Sequence, residues 1–181
     1  MKIEPKKMDI EPKEITIREL TTKFVDNDEE GASCYGGLLD IRPPYQREFI
    51  YDKRQREAVI QTVMNDYPLN TMYWADSGDG RFEIIDGQQR TMSVCQFVNN
   101  MWSVEVDGCM MMFHNIEKSR PELAKKMLDY KLNVYVCRGT QDDRLKWFET
   151  INIAGEELTP QELRNAVYAG PWVTNAKRYF S

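Results

Sequence analysis

The most informative stretch of this chain is Phe82-Glu83-Ile84-Ile85-Asp86-Gly87-Gln88-Gln89-Arg90. It predicts a strand that ends at a tight Asp-Gly corner, followed at once by a helix. The first backbone N–H groups of a helix have no intrahelical partners and therefore attract anions. Arg90, in the first turn of this helix, adds a planar cation suited to phosphate. The corner is thus a predicted anion site.

A purely structural interpretation of the same corner is also open. Asp86 would be the N-cap of the helix, Gly87 a turn residue, and Gln89 would close a capping box. That interpretation gives Gln88 and Arg90 no role. In the functional interpretation, Asp86 positions a metal ion or a water molecule instead, and Gln88 or Gln89 orients a water.

The rest of the chain intersperses helices with short strands, without a regular βαβ order. The dipeptide Asp107-Gly108 between apolar runs indicates a hairpin. Helices are predicted over 17–26, 52–65, 88–99 and 119–128, strands over 38–41, 71–75, 81–85, 102–106, 109–113 and 132–136, and a loop over 27–37. Tyr73, Trp74 and Trp102 are expected to be strand and core aromatics, with stacking on a base as the alternative. We predict an α+β fold, with a small mixed sheet flanked by helices.

Three segments are expected along the chain. Residues 1–14 mix charges with two prolines and predict a solvated leader. Residues 15–170 form the folded domain. Residues 171–181 begin a further helix, which is expected to lead to a C-terminal region.

Composition excludes several classes of protein. The 181 residues carry 24 Lys and Arg against 29 Asp and Glu, a net charge of −5, which argues against non-specific DNA binding through overall charge. No apolar run reaches the roughly eighteen residues of a membrane span, so no membrane partner is expected. The four cysteines lack Cys-x-x-Cys spacing and predict free thiols in a reducing cytoplasm rather than a metal site.

Two further sites could join the corner. Tyr45, Gln46 and Arg47 follow the rigid Pro43-Pro44, and either Arg47 contacts phosphate or the segment is a solvated loop. Asn152 stands where a helix is expected to end. It is either a left-handed cap or turn residue, or its amide faces the same pocket.

Three boxes, in order, resemble the GmrSD-type N-terminal domain family. Ile41–Tyr51 resembles its opening box, although Tyr51 replaces a tryptophan. Ile85–Thr91 resembles its signature box. Phe148–Asn152, together with Gly155, Leu158-Thr159 and Glu162-Leu163-Arg164, resembles the third. The resemblance extends over about residues 38–170.

The resemblance implies a fold similar to those of ParB and sulfiredoxin, which bind nucleotides through a Gly-x-x-Arg-like turn. It implies that a nucleoside triphosphate, with Mg²⁺ or another divalent cation, is bound and hydrolysed in a system that restricts phage or modified DNA. The implied nucleotide-binding residues are Tyr45, Gln46, Arg47, Gly87, Arg90 and Asn152. Nothing in the chain resembles the HNH nuclease of many members, so the expected partners are a nuclease domain or subunit and DNA reached through the full-length protein.

Two functions therefore compete. The first is an enzyme, a nucleoside-triphosphate hydrolase whose catalytic residues would include Asp86, Gln88 and Gln89. The alternative is a ParB-like sensor that holds a nucleotide or DNA without turnover and regulates a separate nuclease. Direct metal-dependent DNA cleavage ranks last, because the sequence has no dense carboxylate cluster.

Overall fold

A computed structural model describes residues 8–27, 31–42, 51–140, 142–143 and 146–147. The strands are β1 (Asp9–Thr16), β2 (Val25–Asn27), β3 (Gly31–Cys34), β4 (Leu39–Arg42), β5 (Met72–Asp76), β6 (Phe82–Asp86), β7 (Val104–Val106), β8 (Cys109–Met111) and β9 (Lys131–Arg138). The helices are α1 (Ile17–Leu20), α2 (Lys53–Met64), α3 (Gln88–Val98), α4 (Phe113–Ser119) and α5 (Pro121–Asp129).

Within these residues, seven strands form one mixed sheet in the order β1-β9-β5-β6-β4-β3-β2. Strand β9 runs parallel to β5, and β4 runs parallel to β6, while the other neighbours are antiparallel. Strands β7 and β8 form a separate hairpin. The prediction of an α+β fold with a mixed sheet flanked by helices is confirmed.

A single hydrophobic core joins the sheet to the helices. Alternate residues of β9 are buried, namely Leu132, Val134 and Val136, as the period-two pattern of a strand with one buried face requires. Trp74 of β5 and Phe97 of α3 are among the largest fully buried side chains. Helix α3 contacts α2, α4 and strand β4, so it packs between the sheet and the other helices.

Several predicted elements are confirmed. Asp52 caps α2, its carboxylate accepting a hydrogen bond from the Gln55 amide at 2.8 Å. Strands β5 and β6 pair across the turn at 77–81, and helix α3 follows the corner at Gly87. The hairpin at Asp107-Gly108 is also present. Each of these elements is determined by residues that lie close to one another in the sequence.

The N-terminal predictions need three corrections. Residues 9–14 belong to edge strand β1 rather than to a leader, and Pro12 is tolerated there because an edge strand leaves N–H positions unpaired. The helix predicted over 17–26 ends at Leu20. Lys23 then adopts a left-handed φ of 51°, and Val25 pairs with Ser33 in the sheet. The predicted loop over 27–37 therefore contains the end of β2 and the whole of β3, followed by a short 3-10 helix at Tyr35–Gly37.

The helix predicted to begin after Ser119 is also corrected. Ser119 is the last residue of α4, and α5 starts at Pro121. Proline favours this first helical position because its missing N–H would have no intrahelical partner there.

Other predictions lie outside the described residues, namely Tyr45, Gln46, Arg47, Asn152, the rest of the third box and the segment 171–181. Among the described helices, none combines the length and apolar character needed to cross a membrane.

Candidate functional site

The Asp-Gly corner joins β6 to α3 through Gly87, whose backbone conformation suits glycine better than any other residue. Gly87 is the N-cap of α3 and has a φ of 99°, in the left-handed region. The first intrahelical hydrogen bond runs from the Thr91 amide to the Gly87 carbonyl at 2.9 Å. The amides of Gln88, Gln89 and Arg90 therefore have no intrahelical acceptor. This is the geometry of an anion site.

Close packing against β5 holds the corner in place. A Cβ atom added to Gly87 would lie 2.7 Å from Cγ and 3.1 Å from Cβ of Met72, which is itself fully buried. These atoms cannot swing away as the tip of a flexible side chain could. Glycine is therefore required at position 87 both for its backbone angle and for its lack of a side chain.

The Asp86 carboxylate pairs with Arg90 and does not cap the helix. Asp86 Oδ2 accepts a hydrogen bond from Arg90 Nη2 at 2.8 Å, and the same nitrogen donates to the Thr71 carbonyl at 3.2 Å. The N-cap residue is Gly87, and no side chain caps α3. The capping interpretation of Asp86 is therefore wrong, because the left-handed turn at Gly87 shifts the helix start by one residue.

Arg90 is the better-buried member of that ion pair. Its side chain is 15% exposed, against 47% for Asp86. Its Nε atom is buried and has no hydrogen-bond partner in the part of the chain that the structure describes. An unmet buried donor is costly, so this atom is available to a ligand or to water.

Gln88 presents a second unmet donor at the same helix end. Its Nε2 atom is buried without a hydrogen-bond partner among the described residues. Gln88 and Arg90 are the two residues that the purely structural interpretation of the corner could not explain. Both carry buried donors that lack acceptors, which favours a functional role.

Gln89 links the corner to the start of α2. Its Oε1 atom accepts a hydrogen bond from the Tyr51 amide at 3.1 Å. The predicted capping box at Gln89 is therefore wrong, because this side chain reaches the residue just before Asp52, the N-cap of α2. Gln89 fixes the point at which the opening box ends.

The topology also brings the beginning of the opening box to this edge of the sheet. Strand β4 is parallel to β6, with Asp40 opposite Glu83, so both strands end at the same edge. Strand β4 ends at Arg42, and the next described residue is Tyr51, whose amide donates a hydrogen bond to Gln89. Both ends of the segment that contains Tyr45, Gln46 and Arg47 therefore flank the corner.

Sequence reasoning did not assign Tyr73 to the site. Tyr73 lies opposite Asp86 in the β5–β6 pairing. Burial raises the pKa of its hydroxyl, the Asp86 carboxylate raises this pKa further, and Arg90 partly opposes the shift. The charges of the corner therefore act on Tyr73. Its position between the buried residues Met72 and Trp74 was the available signal, because alternation directs Tyr73 to the other face of the strand.

An open cleft of about 640 Å³ lies between the 77–81 turn and β3–β4, and residues 86–90 do not line it. We prefer the corner because it gathers buried donors without acceptors. In the described ranges, no group of three or more His, Cys, Asp or Glu side chains is arranged to hold a metal ion.

Fold and site together define an α+β domain with a strand–glycine–helix corner that gathers hydrogen-bond donors. The sequence model of the family described as "GmrSD restriction endonuclease, N-terminal domain" matches residues 21–169. The chain belongs to this family, and the assignment indicates a restriction-type defence protein. Comparisons with curated proteins and with solved structures find no match. The similarity to the ParB and sulfiredoxin folds therefore stays a prediction.

Replacing Gly87 tests the packing of the corner. Gly87→Ala should lower the free energy of unfolding by about 2–4 kcal/mol, because backbone strain and overpacking against Met72 add together. Gly80→Ala is the matched control, since Gly80 has a φ of 81° but nothing within 4 Å of an added Cβ. It should cost only about 1 kcal/mol. Urea denaturation measures both, and equal losses would contradict the packing argument.

Replacing Gln89 tests the link to the opening box. Gln89→Ala removes the acceptor of the Tyr51 amide, and exchange of that amide with solvent deuterium should accelerate about five- to tenfold. Gln96→Ala is the control on the same helix, because Gln96 bonds Asp26 instead, at 3.1 Å. NMR-detected exchange gives the rates. If Tyr51 exchanges at the same rate in both variants, Gln89 does not hold this segment.

Proposed function

We propose that this domain binds a nucleoside triphosphate at the Asp86–Arg90 corner and hydrolyses it as part of a restriction-type defence protein. The observation that carries the proposal is the pair of buried, unmet donors, Gln88 Nε2 and Arg90 Nε, beside the first amides of α3. Phosphate oxygens are multiple strong acceptors, and helix N-termini favour negative charge. A polyphosphate chain would satisfy these donors together.

Each residue of the corner has a proposed role. The amides at 88–90 and the guanidinium of Arg90 hold phosphate oxygens, and Gly87 lets the chain approach closely. Gln88 orients the attacking water. Gln89 was an equal candidate for that task, but its carbonyl oxygen is engaged by Tyr51, so we assign it to positioning.

The other boxes complete the proposed pocket. Arg47 would add a second cation to the phosphates, and Gln46 would contact the nucleotide or a water. Tyr45 and the amide of Asn152 would line the same pocket. The hydrogen bond between Gln89 and Tyr51 supports this arrangement, since it ties the end of the opening box to the corner.

A divalent cation, Mg²⁺ in the first instance, is the proposed cofactor. Mg²⁺ is commonly held by one or two carboxylates together with phosphates and water. Asp86 fits this requirement, because its side chain is about half exposed and lies beside the unmet donors. The cation would neutralise charge on the phosphates, while the residues of the corner position them.

The second candidate is a sensor that binds a nucleotide without turnover and regulates a nuclease outside this chain. The ion pair between Asp86 and Arg90 favours it, because Asp86 is already engaged without a ligand. Binding needs only the donors described above, whereas hydrolysis also needs a positioned water. DNA contact in either case is proposed for the full-length protein.

Phosphate release tests the proposal. Purified protein is given ATP, GTP, CTP or UTP with Mg²⁺, and binding is measured separately by calorimetry. Arg90→Ala should reduce turnover about a hundredfold, the usual effect of losing one donor to the transition state. Arg81→Ala is the control, because Arg81 is an exposed arginine that lines the other cleft.

The outcomes separate the candidates. Binding without release in the wild-type protein would favour the sensor. Equal turnover in wild type and Arg90→Ala would contradict the proposed site, and a loss confined to Arg81→Ala would move the site to the other cleft. Circular dichroism must first show that both variants are folded.

A further inference from the structure

Tyr73 is held rigidly next to the corner by contacts on two sides. Its ring stacks on that of Tyr135 with centroids 5.8 Å apart and an interplanar angle of 17°. The ring of Trp147 meets it edge-on at 5.0 Å and 78°. These contacts come from β9 and from the segment after it, so the Tyr73 side chain is fixed before any ligand binds.

The hydroxyl of Tyr73 has no hydrogen-bond partner among the described residues, although Tyr73 is partly buried. By contrast, two other tyrosine hydroxyls in the described part of the chain form hydrogen bonds. Tyr130 donates to the Tyr67 carbonyl at 2.7 Å, and Tyr35 accepts from Lys13 at 3.0 Å. A rigid ring with an uncommitted hydroxyl is typical of a ligand contact.

The position of Tyr73 in the sheet places this residue beside the proposed anion site. Tyr73 lies opposite Asp86 across the β5–β6 pairing. A tyrosine hydroxyl has an ordinary pKa of about 10, so it is protonated at neutral pH and can donate a hydrogen bond without adding negative charge.

We propose that Tyr73 is a further ligand-binding residue of this site, whose hydroxyl donates a hydrogen bond to an oxygen of the polyphosphate chain. Tyr135 and Trp147 are positioning residues that hold its ring. This inference rests on the proposed function, because the same corner must hold the phosphates. It adds a donor on strand β5 to those on helix α3.

Calorimetry on the full chain, with Mg²⁺, tests the inference using two probes. One is inorganic tripolyphosphate, and the other is whichever of ATP, GTP, CTP and UTP binds the wild type most tightly. Tyr73→Phe keeps the stacked ring and removes only the hydroxyl. It should weaken the binding of both probes about tenfold, as expected for one hydrogen bond to a charged group. Tyr67→Phe is the control, because it removes a hydroxyl from an exposed tyrosine that has no role in the proposed site, and it should leave both affinities unchanged.

Three results would overturn the inference. If Tyr73→Phe binds both probes as well as the wild type does, the hydroxyl makes no contact. If affinity falls for the nucleotide but not for tripolyphosphate, the hydroxyl contacts the nucleoside instead of phosphate. If the wild type binds neither probe, the proposed function fails and this inference fails with it, so the two failures are distinguishable.

Discussion

The packing of Gly87 against Met72 is the constraint on which the rest of the site depends. The left-handed backbone at Gly87 turns the chain from β6 into α3 within one residue, and Met72 leaves no room for a side chain there. Because the turn is so tight, α3 begins at the edge of the sheet, and its first amides have no intrahelical acceptor there. Arg90, one turn into the helix, can then reach back to Asp86 and Thr71. The site is thus a consequence of strand–helix packing.

The parallel pairing of β4 with β6 extends this constraint to a second part of the chain. Parallel strands end at the same edge, so the chain leaves β4 close to where β6 turns into α3. The hydrogen bond from the Tyr51 amide to Gln89 secures the return of the chain at that edge. The two described ends of the opening box, Ile41-Arg42 and Tyr51, therefore lie near the signature box, although the boxes are distant in sequence.

The elements that could be predicted from the sequence are those set by local chemistry. Short sequence motifs predict three such elements, namely the Asp52 cap, the Asp107-Gly108 hairpin and the strand–turn–strand around residues 77–81. The predictions were wrong where residues distant in sequence determine the local structure. Val25 joins a strand because Ser33 pairs with it, and Asp86 loses its capping role because Met72 fixes the turn at Gly87. Tyr73 was not assigned to the site from the sequence, because its ring contacts Tyr135, which lies 62 residues later in the chain.

The ion pair between Asp86 and Arg90 limits how an anion can bind. The two charges offset each other, so an anion at the corner would be held less by net charge than by the first amides of α3, which have no intrahelical acceptor, and by the unmet side-chain donors. A polyphosphate at this point would also meet the half-exposed Asp86 carboxylate, and like charges at short distance repel. A divalent cation between carboxylate and phosphates would convert that repulsion into attraction and leave Arg90 to the phosphates. If the corner binds a nucleotide as proposed, the ion pair would make that binding depend on the cation, whether or not hydrolysis follows.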